Sequence, residues 1–228
     1  METPTVVDYV SLKSLLGKIE EELKKKEEVR QELQRDMRRA TRLSKQAILF
    51  THQERFDEAR KLLKEAGELF TKLAEVSKNH PELVYAGIVT AAFEEYAEAH
   101  TLFTLIKEGR FIPPEELGVP SVSYLLGLSD VIGELRRRTL DSIRKGDMKT
   151  AENCMQTMEQ IYVELTAMDD AYLLVPGLRR KCDIARRIIE TTRGDLTIET
   201  RRNSLERSIK ELAKNIRRKR KAGKNKAQ

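Results

Sequence analysis

Apolar residues recur at helical rather than strand spacing along almost the whole chain. From Asp8 to Phe50, Leu12, Leu16, Ile19, Leu23, Leu33, Met37, Leu43, Ala47 and Ile48 keep a three-and-four rhythm, with no proline and one glycine. That rhythm predicts a single first helix, longer than an ordinary globular helix. A second helix is expected over 55–77. Asn79-His80-Pro81 stops it, and Pro81 suits the first turn of a third helix. The third carries Leu83, Val84, Ile88, Ala92, Ala99, Leu102 and Phe103 and closes at Gly109. Residues 111–120, with three prolines, read as a loop.

Further helices are expected over 121–145, 148–168 and 176–192, and from Gly194-Asp195 to about residue 220. Gly146-Asp147 separates the first two of these, since glycine tolerates a left-handed turn and aspartate caps the helix that follows. No period-two stretch is long enough to predict a strand, and no internal repeat is present. The fold class implied is all-α, one domain over 1–216 of about seven helices with a long first helix. A basic C-terminal tail over 217–228 is expected to be disordered.

Composition supports this picture. Charged residues make up 35% and aromatics 5%, with no Trp, 11 Gly and 6 Pro among 228 residues. The net charge of +6 is an uneven average. Seven basic residues between Arg217 and Lys226 supply it, and the rest of the chain holds 36 basic residues against 37 acidic. Polyanion binding must therefore come from local faces or from the tail. Cys154 and Cys182 have no metal or redox spacing, so free thiols are expected. No run is apolar enough to span a bilayer and no secretory leader is evident, which suggests a soluble cytoplasmic protein.

Two segments place carboxylates one helical turn apart. Glu95 and Glu98 stand at i and i+3, and Asp130 and Glu134 at i and i+4. Each pair shares a helix face. Glu95 falls among Ile88, Ala92, Ala99 and Leu102, inside an apolar stripe, where a charge needs compensation. If the two helices pack together, four carboxylates converge and a divalent cation with oxygen ligands fits them. That points to metal-dependent phosphodiester hydrolysis. The plainer alternative is that these are surface acids paired with cations such as Arg136, Arg137 and Arg138. Histidine-based metal motifs, serine-histidine triads and glycine-rich phosphate loops are absent.

Basic residues offer two candidate phosphate contacts. Arg35, Arg38, Arg42 and Lys45 form a row on the first helix that could follow a backbone without reading bases. Glu32 and Asp36 lie close enough in sequence to neutralise part of it. Arg137 and Arg138 directly follow Glu134 and are the second candidate. No aromatic stacking platform is evident, so base-specific readout is not expected.

The order of these segments resembles the translin family. Glu94-Glu95-Tyr96-Ala97-Glu98-Ala99 is followed by a proline-containing loop. Then comes Tyr124-Leu125-Leu126-Gly127-Leu128-Ser129-Asp130-Val131-Ile132-Gly133-Glu134-Leu135-Arg136-Arg137, the most specific part of the resemblance. Arg35-Asp36-Met37-Arg38-Arg39-Ala40-Thr41-Arg42-Leu43-Ser44-Lys45 is similar to the family's first-helix segment. The likeness runs from about residue 10 to about residue 210.

Within the family, one branch is a nucleic-acid-binding shell and the translin-associated factor X (TRAX) branch carries an RNase site. The acids of that site match Glu95, Glu98 and Asp130 here, with Glu134 nearby, so the resemblance implies the catalytic branch. The absence of a long insertion between helices three and four suggests a compact archaeal homologue. What the resemblance implies is a Mg²⁺-dependent endoribonuclease (Mn²⁺ is an alternative ion). It would act on single-stranded or partly duplex RNA inside a closed homo-oligomer of roughly six to eight subunits. Glu95, Glu98 and Asp130 would be the metal ligands, and Glu134 a fourth ligand or a water-orienting base. A non-catalytic shell binding single-stranded RNA or DNA is the alternative.

Overall fold

The computed structural model describes residues 9–81, 87–168 and 170–224, with side chains between residues 12 and 216. Among these the chain forms eight helices and no strand. They are α1 (Tyr9–His52), α2 (Phe56–Asn79), α3 (Gly87–Glu108), α4 (Pro114–Leu117), α5 (Ser121–Lys145), α6 (Met148–Thr166), α7 (Ala171–Leu174) and α8 (Leu178–Lys224). The all-α expectation holds. No helix among the described residues is long and apolar enough to cross a membrane. The chain divides into two compact units, Met1–Phe103 and Thr104–Gln228, and the division falls inside α3.

In the first unit α1 lies along α2. Leu33, Met37, Ala40, Leu43 and Ala47 of α1 are buried, as are Ala59, Leu63, Ala66, Phe70 and Leu73 of α2. Each set runs at intervals of three and four, and each helix has two fully buried alanines seven residues apart. Small side chains at that interval let two helix backbones approach closely. Phe70 then stacks on Phe93 of α3, with ring centroids 4.4 Å apart, and leans on Tyr96 at 4.9 Å. Burying each large apolar side chain contributes about 1.5–3 kcal/mol. An exposed pair such as Arg55–Glu58 adds little, because water screens it. The apolar seam therefore decides the packing.

The second unit packs α5 against α6 and α8, and α6 against α8. Val131, Ile132 and Leu135 of α5, Met155 and Met158 of α6, and Leu178, Ala185 and Ile189 of α8 are buried. Gly146 ends α5 in the left-handed conformation at φ 79°, and the Asp147 side chain accepts the Thr150 N–H to cap α6. That turn matches the expectation from Gly146-Asp147.

The C-terminal third differs from expectation. Gly194-Asp195 does not divide two helices, and α8 runs unbroken for 47 residues. A glycine inside a helix costs about 1 kcal/mol, and the residues around it are tied down. Arg136 of α5 donates to the Thr192 hydroxyl at 2.7 Å and lies 3.6 Å from the Asp195 carboxylate. Arg193 reaches Glu159 of α6 at 2.6 Å. Asp195 is thus an ion-pair partner rather than a cap.

Two four-residue helices, α4 and α7, lie in stretches that carried no helical prediction. The α8 backbone stays helical through Lys224, so no helix end marks the expected tail boundary at 217. Leu83 and Val84 lie outside the described residues.

Both long helices also carry apolar positions that stay exposed. Towards its N-terminus α1 exposes Leu12, Leu15, Leu16, Ile19 and Leu23, and towards its C-terminus α8 exposes Ile198, Leu205, Ile209, Leu212 and Ile216. Burial on α1 begins only at Leu33. Both cysteines are buried free thiols, and burial pushes the pKa of each upward.

Candidate nucleic-acid interface and acid pairs

In the first unit the acids sit on α3, seated by aromatic packing. Tyr96 is buried between its neighbours, and its ring meets Phe70. Its hydroxyl comes so near Gly67 of α2 that a Cβ there would lie 2.8 Å from the oxygen. Burial raises the Tyr96 phenol to a pKa of about 12, so it stays protonated at neutral pH. Glu95 follows Ala92 by three residues and precedes Ala99 by four, and both alanines are fully buried. Its side chain is 26% exposed, at the edge of that face, and one oxygen lies 3.2 Å from the Lys45 ammonium of α1. Glu98, one turn on, is half-buried.

Lys45 is the last residue of the basic row. Arg35, Arg38, Arg42 and Lys45 are all exposed. No ion pair of Arg35, Arg38 or Arg42 occurs among the described residues. The acids that threatened to neutralise the row are engaged elsewhere. Lys72 of α2 takes Glu32 at 2.6 Å and Asp36 at 2.9 Å. Arg39, which flanks the row, pairs with Glu65 of α2. With a rise of about 1.5 Å per residue, the four cations are spaced about 4.5–6 Å apart along the helix. The row ends at Glu95.

In the second unit Asp130 and Glu134 lie on α5, between the buried positions Ser129, Val131, Ile132 and Leu135. Both are partly exposed, Asp130 at 40% and Glu134 at 25% of the side chain. The Lys181 ammonium of α8 lies 2.5 Å from Asp130, and Arg137 lies 3.8 Å from Glu134. Arg138 lines a cleft of about 350 Å³ together with Leu105, Phe111, Asn153, Cys154 and Gln160. Its charge acts on Asp147 and Cys154. Arg137 and Arg138, adjacent in sequence, thus meet different surroundings.

Lys181 escaped the sequence reading, although the signal was present. It follows Leu178 by three residues and precedes Ala185 by four, both buried. It is therefore a cation on an apolar stripe, the mirror image of Glu95. Within each unit, the described residues bring no three His, Cys, Asp or Glu side chains together as a metal site.

Comparison with known proteins fixes the lineage. The Translin family profile matches residues 28–192. The chain belongs to the translin family. An uncharacterised protein of Methanocaldococcus jannaschii is 34% identical over 176 residues, which cover 76% of this chain and 78% of that protein. Among solved structures, apo-NeC3PO superposes with a TM-score of 0.74 at 29% identity, covering 87% of this chain and 99% of that one. AfC3PO has been solved alone and in complex with duplex RNA. Each of its two structures gives a TM-score of 0.73 at 33% identity, covering 81% of this chain and 96% of that one. The exposed apolar residues Leu12 to Leu23 of α1 and Ile198 to Ile216 of α8 lie outside the stretch that the translin family profile matches.

Proposed function

We propose that this translin-family chain is an RNA-cleaving member of the TRAX type. In this reading it is a Mg²⁺- or Mn²⁺-dependent endoribonuclease that works as a closed homo-oligomer. One observation carries the reading: an exposed cationic row on α1, freed of its acidic neighbours by α2, runs directly to Glu95. Phosphates held along Arg35, Arg38 and Arg42 would bring a strand to a carboxylate at a buried edge, where its placement is fixed by packing. The likeness to AfC3PO, which binds duplex RNA in one of its structures, supports RNA as the polyanion.

The donor set suits a hard divalent cation. Glu95 and Glu98 in the first unit, and Asp130 in the second, each offer only carboxylate oxygens, the ligands that Mg²⁺ and Mn²⁺ prefer. Glu95 and Asp130 are exposed enough to be reached, and each already attracts a lysine ammonium. When bound, such an ion lowers the pKa of a water and offsets charge on the phosphate. The residues do the rest. Glu134, stationed one turn from Asp130, orients the attacking water or accepts its proton. Arg137 holds a phosphate oxygen beside it.

The test incubates purified protein with labelled single-stranded and duplex RNA, in Mg²⁺ and in chelator. Cleavage that needs Mg²⁺ is expected, and cleavage that persists unchanged in chelator overturns the proposal. A second reading has its own support. The pairs Lys45–Glu95 and Lys181–Asp130 are what structural ion pairs look like, and a non-catalytic shell would keep them for that purpose. It predicts RNA binding with no cleavage in either condition.

A further inference from the structure

Among the described residues, Glu95, Glu134 and Asp130 each meet a cation, and these three contacts are unequal. Lys45 reaches Glu95 at 3.2 Å with its side chain 63% exposed. Arg137 reaches Glu134 at 3.8 Å and is 50% exposed. Lys181 reaches Asp130 at 2.5 Å and is only 26% exposed. An ion pair strengthens as water is withdrawn from it and as the charges approach. Lys181 is also anchored from below, since Leu178, Cys182 and Ala185 of the same helix turns are buried. Its ammonium is therefore presented to Asp130 by the packing of α8 on α5, with little freedom to wander.

Such a cation is poorly explained as stabilisation alone. A partly exposed pair adds little to folding, and a methionine of similar length would pack on the same stripe. A cation fixed at a carboxylate has another effect: it competes with any other cation for those oxygens. We infer that Lys181 is the resident counter-charge of the acid site, which occupies Asp130 in the ion-free protein and yields that carboxylate to a divalent cation, its ammonium then facing the phosphate the cation attracts. This inference rests on the proposed metal-dependent site. Lys181 acts through Asp130 and is a positioning residue. It sets how readily the site fills, and it keeps two carboxylates one turn apart from repelling each other when the site is not filled.

The test measures Mn²⁺ binding by electron paramagnetic resonance on the full chain, without RNA. K181M and K181Q both remove the charge, and whichever melts within a few degrees of the parent is read. Either should bind Mn²⁺ about two- to fivefold more tightly, the range expected when a partly exposed ion pair no longer competes. K181R, which keeps the charge, should bind like the parent. The double variant D130N/K181M should bind no better than D130N alone, because the two residues act on the same oxygens. Unchanged or weaker Mn²⁺ binding in a folded K181M or K181Q protein overturns the inference and leaves the nuclease reading standing, provided D130N itself weakens Mn²⁺ binding. If D130N binds Mn²⁺ as the parent does, Asp130 is not a ligand and both fall.

Discussion

The two acid pairs use the same residue types at nearly the same spacing, yet their surroundings differ. On α3, Glu95 meets a lysine that ends an exposed row of arginines and is itself mostly in solvent. On α5, Asp130 meets a lysine embedded in the apolar stripe of α8. The first arrangement delivers charge along a surface, and the second fixes a single charge in place. Carboxylate spacing specifies neither. What distinguishes the pairs is the helix laid against each of them.

The largest expected effect treats the pairs as equals. E95Q and D130N should each lower Mg²⁺-dependent RNA cleavage by more than about a hundredfold, beyond the 10–100-fold losses typical of outer-shell partners. Both should keep their helical circular dichroism. If one variant cleaves normally, its pair takes no part in cleavage and the comparison breaks there. Next, R38A/R42A should weaken RNA binding roughly tenfold at low salt and reduce the salt slope by about 0.7–0.9 per lost contact. The same measurement on K181M without metal should show an unchanged slope, which separates the delivering cations from the fixed one.

Stability separates the supports of the two pairs. G67A on α2 presses a Cβ to 2.8 Å from the Tyr96 hydroxyl, whose ring is held by Phe70. Overpacking of that kind costs about 1–3 kcal/mol and should exceed the gain in helix propensity of up to about 1 kcal/mol. G194A meets nothing within 4 Å. It should raise the melting temperature by about 2–4 °C per kcal/mol gained. Calorimetry on the two variants should therefore give shifts of opposite sign. The smallest effect is expected for K45M, whose exposed pair should alter Mn²⁺ affinity by less than about twofold. A shift as large as that of K181M would erase the distinction drawn between the two lysines.

Periodicity made most of the helices legible. The limits of α1, α2, α5 and α6 follow from apolar spacing and from Gly146-Asp147, because those signals are local. The continuity of α8 is not local. It depends on Arg136 and Glu159, more than thirty residues away, reaching Thr192, Asp195 and Arg193. Leu12 to Leu23 and Ile198 to Ile216 show a related limit: the three-and-four rhythm predicted their helices correctly but not whether another helix covers them.

The four acids are marked in the sequence by their one-turn spacing, and Glu95 also by its place on an apolar stripe; Lys181 meets that second criterion with the opposite sign. Arg137 and Arg138 read alike in sequence. Only the structure shows one beside Glu134 and the other lining a cleft with α6 residues.

Lys72 belongs to α2 and has no place in the proposed chemistry, yet it governs the character of α1. By drawing Glu32 and Asp36 to one edge of that helix, it leaves Arg35, Arg38 and Arg42 on the other, with no ion pair among the described residues. In an isolated α1 peptide, Glu32 would stand one turn from Arg35 and Asp36 one turn from Arg39, and those charges would close on one another along the helix. The cationic edge is thus sided, and its sidedness belongs to the α1–α2 pair. A peptide excised from this helix would carry every arginine of the row and lack the field they produce together.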